Sequence, residues 1–401
     1  MHGMHPATTP QLARVVARGA VALAVCVWSG CAGDTAGRTI RSDSAGITIL
    51  THDGPDGRLD WILEPLDTIG GEDSGPGSFY RVRAGLVDVD ERGWLYILDP
   101  SASTISAFNG TGQPRWTAGR PGGGPGEMLS PLSLSVGGAD ILVYDARKRA
   151  LLNWDTAGRH VREIPFGYQQ VVTGVRVVRR HGSGLAVLAR ERYTGSDERN
   201  VRLLHIEGDD TTTLFSAPLE LSRTANYPSC GMSLTMPVLF APTVHWSGNA
   251  NEFVMVQGAE YAIDVFSATG ERRSIRRTIE PEPVTEERAL DALGRAGLEG
   301  GPLAPCRTDA ATRLRNHGYA PFIQVIREVA LEPGGRLWVR RVVAGDTTSN
   351  IDIFEADGSY AGSLAPGTVF PLVFLPDARV GYVAKDSLDV ERLIIARVPG
   401  R

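Results

Sequence analysis

The sequence has 401 residues, of which 42% are hydrophobic and 22% charged, with 47 glycines and 25 prolines. That composition is sufficient for an apolar core and for many turns, so it favours a globular, turn-rich protein. The formal net charge of −5 argues against broad nucleic-acid binding, because proteins of that class neutralise phosphates with a net basic surface.

The first 30 residues have the basic, apolar and small-residue regions of a bacterial secretory signal peptide, in that order. Arg14 and Arg18 precede an apolar run from Gly19 to Trp28, and Ser29-Gly30-Cys31 follow it. The run is about ten residues long and cannot cross a bilayer core, which needs about 20. No other stretch is long and apolar enough to be a membrane helix. We therefore expect residues 1–30 to be removed on export.

Trp28-Ser29-Gly30-Cys31 resembles a bacterial lipobox. The resemblance implies cleavage before Cys31 and acylation of its thiol and its amine, and each buried methylene of an acyl chain contributes about 0.8 kcal/mol to membrane binding. The alternative is a plain secreted protein. Cleavage before Cys26 is disfavoured, because Val25 would occupy the position that must be small. Residues 31–44, which are polar and contain glycine, are then expected to form a tether.

Two cysteines remain when Cys26 leaves with the signal peptide and Cys31 is acylated, namely Cys230 and Cys306. An oxidising compartment favours a disulfide between them. Two free buried thiols are the alternative.

The body of the chain repeats one pattern, an apolar strand, a polar turn, a strand that ends in an aromatic residue, and a glycine turn. The first two copies end at Phe108 and Trp154, and this spacing fits one four-stranded propeller blade. Three more copies follow, and Pro371–Val398 supplies about three strands. A strand near Trp61–Ile69 would complete that last sheet and close the ring. The sequence therefore predicts an all-β, six-bladed β-propeller over residues 45–401, with a seven-bladed ring or a stack of sandwiches as alternatives.

Several motifs also carry a family resemblance, which spans about Asp43 to the C-terminus. They are Asp43-Ser-Ala-Gly-Ile-Thr-Ile-Leu50, the glycine-rich Gly119–Glu127, and the blade residues Asp99 and Asp145. In these motifs the chain resembles the six-bladed propeller lipoproteins of environmental bacteria, which are related in fold to NHL and TolB-like propellers. The resemblance implies a fold and brings no settled biochemical role.

The two longest links between blades are expected on the same face of the ring, since antiparallel strands alternate in direction. Cys230 lies in the link before blade four and Cys306 in the link after it, so a disulfide is geometrically sensible. Residues 279–321 of the later link read as a small helical insertion between blades four and five. Thr285 is the expected N-cap of a first helix, and a second is expected from Asp309 to Asn316. The insertion is either a structural cap or a binding element.

Two conspicuous features have structural interpretations that we prefer. Asp99 and Asp145 follow inner strands of blades, where a carboxylate accepts N–H bonds from the next turn, so turn fixing is favoured over metal binding. The loop Gly119–Glu127 lacks the Gly-Lys-Ser/Thr ending of a phosphate loop, so a tight crossing between blades is favoured over an anion site.

The innermost strands of a propeller line its central channel, and the segments assigned there carry Arg81, Arg83, Arg176, His245, Arg327 and Glu328. Convergence of a few of them would favour a small anionic ligand. The candidate channel residues are Arg83, Arg176, His245 and Arg327. The alternative places these side chains at the channel mouth, solvated or paired with acids.

The sequence identifies no catalytic, cofactor-binding or metal-binding residues. It contains no HExxH, CxxC or GxSxG motif, and its histidines are scattered over blades and turns. The predicted function is that of a monomeric, non-catalytic, lipid-anchored propeller that binds a small molecule or a protein partner in the cell envelope, at the outer membrane or on the periplasmic face. The alternatives are a metal-dependent lactonase, lyase or hydrolase, and an envelope assembly scaffold.

Overall fold

The computed structural model describes residues 38–71, 75, 77–79, 82–166, 172–181, 184–191, 200–208, 210–218, 222–267, 270–295, 306, 308–342, 349–387 and 389–399. The predicted signal peptide, residues 1–30, and the lipidation site Cys31 lie outside the described residues. The first strands of the chain are β1 (Arg38–Ser44), β2 (Ile47–Asp53), β3 (Arg58–Leu59) and β4 (Glu64–Ile69).

Six antiparallel sheets form the blades of a propeller, which confirms the predicted fold. The strands of each blade are named here from the channel to the rim. Blade one comprises β5 (Val87–Val89), β6 (Leu95–Asp99), β7 (Thr104–Phe108) and β8 (Pro114–Ala118). Blade two comprises β9 (Pro131–Gly137), β10 (Asp140–Asp145), β11 (Ala150–Asp155) and β12 (His160–Pro165). Blade three comprises β13 (Val172–His181), β14 (Gly184–Glu191), β15 (Asn200–Glu207) and β16 (Asp210–Pro218).

A separate hairpin, β17 (Ser222–Tyr227) and β18 (Met232–Pro237), precedes the last three blades. Blade four comprises β19 (His245–Gly248), β20 (Glu252–Val256), β21 (Ala262–Ser267) and β22 (Arg272–Arg277). Two helices follow, α1 (Glu286–Arg295) and α2 (Ala310–His317). Blade five comprises β23 (Ile326–Leu331), β24 (Leu337–Val342), β25 (Ser349–Phe354) and β26 (Tyr360–Leu364). Blade six comprises β27 (Val373–Leu375), β28 (Arg379–Lys385) and β29 (Glu391–Arg397), with β4 as its outermost strand.

The ring closes where the N-terminal strand β4 pairs with the C-terminal strand β29. In this antiparallel pairing Ile69 lies opposite Leu393, and both side chains are buried. The predicted closing strand, Trp61–Ile69, is thus present as Glu64–Ile69. Closure removes the exposed edges that an open array of sheets would leave.

The N-terminal segment also runs along the rim of two other blades. β1 and β2 form a hairpin, and β2 pairs in parallel with β22, so blade four becomes a six-stranded sheet. β3 pairs in parallel with β26 of blade five. The expected tether, residues 31–44, is therefore corrected: Arg38–Ser44 is a strand, because the polar run finds backbone partners in β2.

Aromatic side chains near the ends of the third strands fill the spaces between blades. Trp154 is 1% exposed and packs with residues of blade one such as Ile105, and the fully buried Phe354 packs against Ile263 of blade four. A strand alternates its side chains between the two faces of a sheet, so each blade contributes to the apolar layers on both of its sides. Six separate apolar clusters thus lie between the six pairs of neighbouring blades.

The links between blades and the turns between second and third strands emerge on one face of the ring, because the strands of each blade alternate in direction. We call it the decorated face, since it carries β17–β18, α1 and α2. Thr285 Oγ1 accepts a hydrogen bond from Arg288 N–H at 3.2 Å, and Asp309 caps α2 through Thr312 N–H. We call the other side, with the turns between first and second strands, the opposite face.

A disulfide joins Cys230 to Cys306 on the decorated face, as the sequence predicted. It connects the links before and after blade four. Beside it, the Tyr227 hydroxyl and His317 Nε2 lie 2.6 Å apart, and the two rings stack. Ala289, Leu290 and Leu293 of α1 pack with Leu314 of α2, so the apolar stripe of the insertion is used within this cap.

Candidate functional site

The central channel contains a cavity of about 990 Å³. Its described walls come from the innermost strands of blades one, two, four, five and six, and from turns on the opposite face such as Gly138-Ala139 and Asn249-Ala250. Binding pockets for small molecules have volumes of about 300–1,000 Å³. The channel is therefore large enough for a small ligand and is reached from the opposite face.

Acidic side chains dominate the charge of this wall. Among the described residues that line the cavity, none is Arg or Lys, and His245 is the only histidine. The carboxylates of the lining are Asp88, Asp90, Glu91, Asp140 and Glu328.

The innermost strands of neighbouring blades are joined by side chains that accept hydrogen bonds from backbone N–H groups. Asp88 Oδ2 of blade one accepts from Val136 N–H of blade two at 2.9 Å. Ser247 Oγ of blade four accepts from Leu331 N–H of blade five at 3.0 Å. An inner edge strand has backbone N–H groups with no strand partner, and such groups need an acceptor when buried. Asp88 thus connects blades one and two at the channel wall, and its carboxylate also contributes to the negative charge of that wall.

Three further lining carboxylates have polar partners. Asp90 Oδ2 accepts from Arg92 Nη2 at 2.6 Å and from the Tyr96 hydroxyl at 3.0 Å. Burial is the main cause that raises the pKa of Tyr96 above its usual value, and the Asp90 carboxylate raises it further. Asp140 Oδ1 accepts from Asn153 Nδ2 at 3.1 Å, and Glu328 pairs with Arg340 at 3.4 Å.

Glu91, like Glu328, is one of the two exposed carboxylates of the described lining. It lies in the turn after β5 and is exposed to solvent at the opposite face. A smaller cavity of about 360 Å³ next to the channel is also lined by Asp90 and Glu91. Glu91 therefore lies where two cavities open on the same face.

His245 is the one ionisable group of the described lining that is not a carboxylate. Its Nε2 lies 2.9 Å from Thr243 Oγ1. Burial lowers the pKa of His245, the hydrogen bond with Gln324 raises it in part, and the charge of Arg327 lowers it again. The net pKa is below the usual value, so His245 is neutral at pH 7 and adds no positive charge to the wall.

Of the four candidate channel residues, the structure places only His245 in the described lining, together with Glu328 from the same assigned segments. Arg83 is exposed and precedes β5, which begins at Val87 and not at the arginines before it. Arg327 is exposed at the start of β23, towards the decorated face. Arg176 lies in β13, and its side chain is outside the described part of the chain. The expected convergence of cations on an anionic ligand is therefore not seen in the described channel.

Sequence analysis missed four of the five lining carboxylates, all except Glu328. Asp88 lies in β5, Asp90 and Glu91 follow it, and Asp140 begins the second strand of blade two. Their place in the repeat could have identified them. The turns between first and second strands of successive blades meet around one mouth of the channel, so acidic residues at these turns are brought together there.

The two turn-fixing aspartates behave as predicted. Asp99 Oδ1 accepts from Ser101 N–H at 2.7 Å. Asp145 is fully buried and accepts from four backbone N–H groups, those of residues 129, 130, 147 and 148. Four donors satisfy both oxygens of this buried carboxylate, so its role is structural.

The glycine-rich loop Gly119–Glu127 is folded on itself, as expected of a tight crossing. Glu127 Oε2 accepts from Gly124 N–H at 2.7 Å, and its Oε1 accepts from Arg120 Nε at 2.8 Å. Lys148 Nζ donates to Gly124 O at 2.8 Å. The loop's own acidic residue thus occupies the position that an anion would need.

Within the described residues no group of three or more His, Cys, Asp or Glu side chains is arranged to hold a metal ion. Across the same part of the chain, the helices are all too short or too polar to span a bilayer.

A closed ring of six four-stranded sheets around a channel defines the chain as a six-bladed β-propeller. The sequence matches no protein-family profile and no curated protein. The fold is similar to that of a candidate exported protein from Bacteroides fragilis, with 14% identity and a TM-score of 0.51 over 88% of this chain and 100% of that one.

Two other solved structures are similar to this chain with lower TM-scores. A member of the DUF4221 family from Bacteroides vulgatus has 10% identity and a TM-score of 0.48 over 85% of this chain and 99% of that one. Streptogramin B lyase has 11% identity and a TM-score of 0.38 over 84% of this chain and 98% of that one. Identities this low show the fold alone, because propellers host unrelated functions.

Proposed function

We propose that this protein is an exported, lipid-anchored propeller that binds a small polar molecule in its central channel. The observation that carries the proposal is the cavity of about 990 Å³, whose walls combine apolar surface with five carboxylates. A mostly apolar cavity with a few polar groups at fixed positions is typical of a binding site. Rigid blades hold these groups in place, which reduces the entropy lost on binding.

The wall favours a ligand that donates hydrogen bonds. Carboxylates accept and do not donate when ionised, so Asp88, Glu91 and Asp140 suit protonated amines or hydroxyl groups. A carboxylated or phosphorylated ligand would meet like charge there. We therefore propose a cationic or neutral polar ligand in place of the anionic one expected from the sequence.

The proposal of export and anchoring rests on the N-terminal sequence. Arg14, Arg18 and the apolar run to Trp28 have the order of a signal peptide. Cys31 is at the position where a lipobox is cut and acylated. The disulfide between Cys230 and Cys306 is consistent with an oxidising compartment outside the cytoplasm.

Native mass spectrometry of the full-length protein, purified gently in mild detergent from its source, tests the channel. Ala139→Trp places a large ring at the mouth of the cavity, since Ala139 is exposed and lines it. Ala157→Trp is the matched control, because Ala157 is exposed in another turn of the same blade and the same face. We expect a retained small molecule on the wild-type protein and on Ala157→Trp, and its loss from Ala139→Trp. No retained mass on the wild type, or equal retention on Ala139→Trp, would contradict the proposal.

A further inference from the structure

The described part of the chain begins on the rim of the propeller, at the end that belongs to the decorated face. β22 ends at Arg277 and leads into the link with the helices, so its C-terminal end lies at the decorated face. β2 is parallel to β22, and β1 is antiparallel to β2, with Arg38 opposite Asp53. Arg38 therefore lies at the decorated end of blade four.

The exposed apolar side chains have an uneven distribution over the described surface. Four of the seven exposed large hydrophobic residues lie on the decorated side, at the start of β1 or in links between blades: Ile40, Leu129, Tyr319 and Phe322. The other three lie on or beside outer strands: Leu66 within β4, Ile62 just before the end of β4 at the opposite face, and Val161 near the end of β12 at that face. None of the seven lines the channel cavity.

We infer that the decorated face is the surface turned towards the membrane, and that the channel opens away from it. The inference rests on the lipid anchor of the proposed function. Arg38 lies seven positions after Cys31, and at full extension this stretch spans at most about 25 Å. An acylated Cys31 thus keeps the bilayer surface within about 25 Å of the decorated end of blade four.

The exposed side chains are of the kind that a membrane interface accepts. Tyr is enriched at the headgroup level, and Phe, Leu and Ile partition into the boundary between headgroups and acyl chains. Tyr319 is 36% and Phe322 43% exposed, and both follow α2 in the link after blade four. The same blade carries Ile40, which is 44% exposed, near the end of the tether. Arg38, where the described chain begins, and these apolar side chains therefore lie at the same end of the ring.

This orientation has a functional consequence. Glu91, Ala139 and Ala250 mark the mouth of the channel on the opposite face. With the decorated face against lipid, this mouth faces the aqueous compartment, where a polar ligand is dissolved. The helices and the disulfide then belong to the membrane side of the protein and not to its ligand-binding side.

Site-specific crosslinking tests the orientation. A photoreactive phenylalanine analogue is placed at Phe322 on the decorated face or at Ala157 on the opposite face. Each protein is bound to vesicles of phosphatidylethanolamine with a minority of phosphatidylglycerol, either through its native anchor or through a lipid maleimide coupled to Cys31. We expect several-fold more lipid crosslinked at position 322 than at position 157 in both preparations. Equal crosslinking, or more at position 157, would overturn the inference.

The maleimide preparation separates the two claims. If the native protein carries no lipid, the proposed anchor is wrong, and the artificial anchor alone decides whether this face meets the bilayer.

A partition measurement gives an independent reading. A single acyl chain binds membranes only marginally. Contacts between the protein surface and the bilayer should therefore change the fraction of protein bound to vesicles by a measurable amount. With one chain on Cys31, Phe322→Ser should lower the bound fraction several-fold. Val161→Ser is the control, because Val161 is 55% exposed on the rim and its loss should leave the fraction unchanged. Equal effects of the two substitutions would contradict the inference.

Discussion

Asp56 Oδ1 lies 2.9 Å from Arg277 Nη2, although the two residues are 221 positions apart in sequence. Asp56 also pairs with Arg341 of blade five. Both arginines bind the fully buried Asp352, at 2.8 Å from Arg277 Nη1 and 3.0 Å from Arg341 Nε. The Tyr261 hydroxyl donates to the same carboxylate at 2.9 Å. This network fastens the N-terminal segment to the junction of blades four and five.

Asp56→Asn should destabilise the protein by about 2 kcal/mol. Breaking a buried ion pair costs about 3–5 kcal/mol, but the Asp56 side chain is 39% exposed, and exposed pairs contribute only about 0–1 kcal/mol. Two buried guanidinium groups would then share one carboxylate. Asp60→Asn is the matched control, since the Arg58–Asp60 pair is 80% and 83% exposed. Urea unfolding measures both, and similar effects of the two substitutions would refute this role.

His52 should make the protein less stable as pH falls. Burial lowers the pKa of His52, the hydrogen bond to Gly358 O raises it in part, and the charge of Arg277 lowers it again. Because the unfolded histidine binds a proton at about pH 6.5 and the folded one stays neutral to lower pH, the unfolded state binds more protons below that value. Stability is therefore fully present above about pH 6.5 and is lost as pH falls through the lowered value.

The test compares the pH dependence of unfolding in the wild type and in His52→Gln. A difference of one bound proton changes the free energy of unfolding by at most about 1.4 kcal/mol per pH unit. The pKa values of His245 and His317 are also lowered, in each case mainly by burial, so the substitution should reduce the slope and not abolish it. An unchanged slope between the two proteins would show that His52 does not titrate in this way.

Replacing both Cys230 and Cys306 by Ser should cost about 4 kcal/mol in the chain-entropy model. The bond closes a loop with a sequence separation of 76, which includes all of blade four. Hydrogen exchange should show lost protection first in β17, β18 and α2, while β10 in blade two remains protected. Reduced wild type should behave like the double variant. If reduction changes neither stability nor the mass of an alkylated sample, the disulfide is absent in solution.

Cys31→Ser should release the protein from membranes into the soluble fraction, because the acyl chains are attached to this residue. Cys26→Ser is the control, since Cys26 is expected to leave with the signal peptide. Fractionation after high-salt washing measures both. Membrane retention of Cys31→Ser would show that another feature holds the protein there.

The parts of the fold that could be predicted from sequence are those encoded locally. Each blade is a run of strands and turns within about 45 residues, so apolar alternation and glycine turns identify it. The second helix was expected from Asp309 to Asn316 and is Ala310–His317, because a cap residue and a terminal glycine mark its ends. Ring closure followed from counting strands at the two ends of the chain.

The rim path of the N-terminal segment could not be predicted in this way. Every residue of β1 is exposed, so the strand has no apolar face that alternation could reveal. Its stability comes from pairing with β2 and, through β2, with β22. Parallel pairing between residues more than 200 positions apart leaves no local pattern, and a polar run of this kind reads equally well as a tether.

The channel lining was difficult for a related reason. The innermost strands β5 and β27 are three residues long, which is too short for alternation to fix which side chains face the channel. Arg83 was therefore assigned to a strand that begins four residues later, at Val87. The carboxylates of the turns were overlooked because each one alone looks like an ordinary turn residue.

A crystal structure of the protein purified gently from its source would test most directly whether a closed ring holds a small molecule in its channel. We predict six sheets, closed by the pairing of β4 with β29, and non-protein electron density within hydrogen-bonding distance of Asp88 or Asp140. An open ring, or a channel that contains only water, would contradict the account.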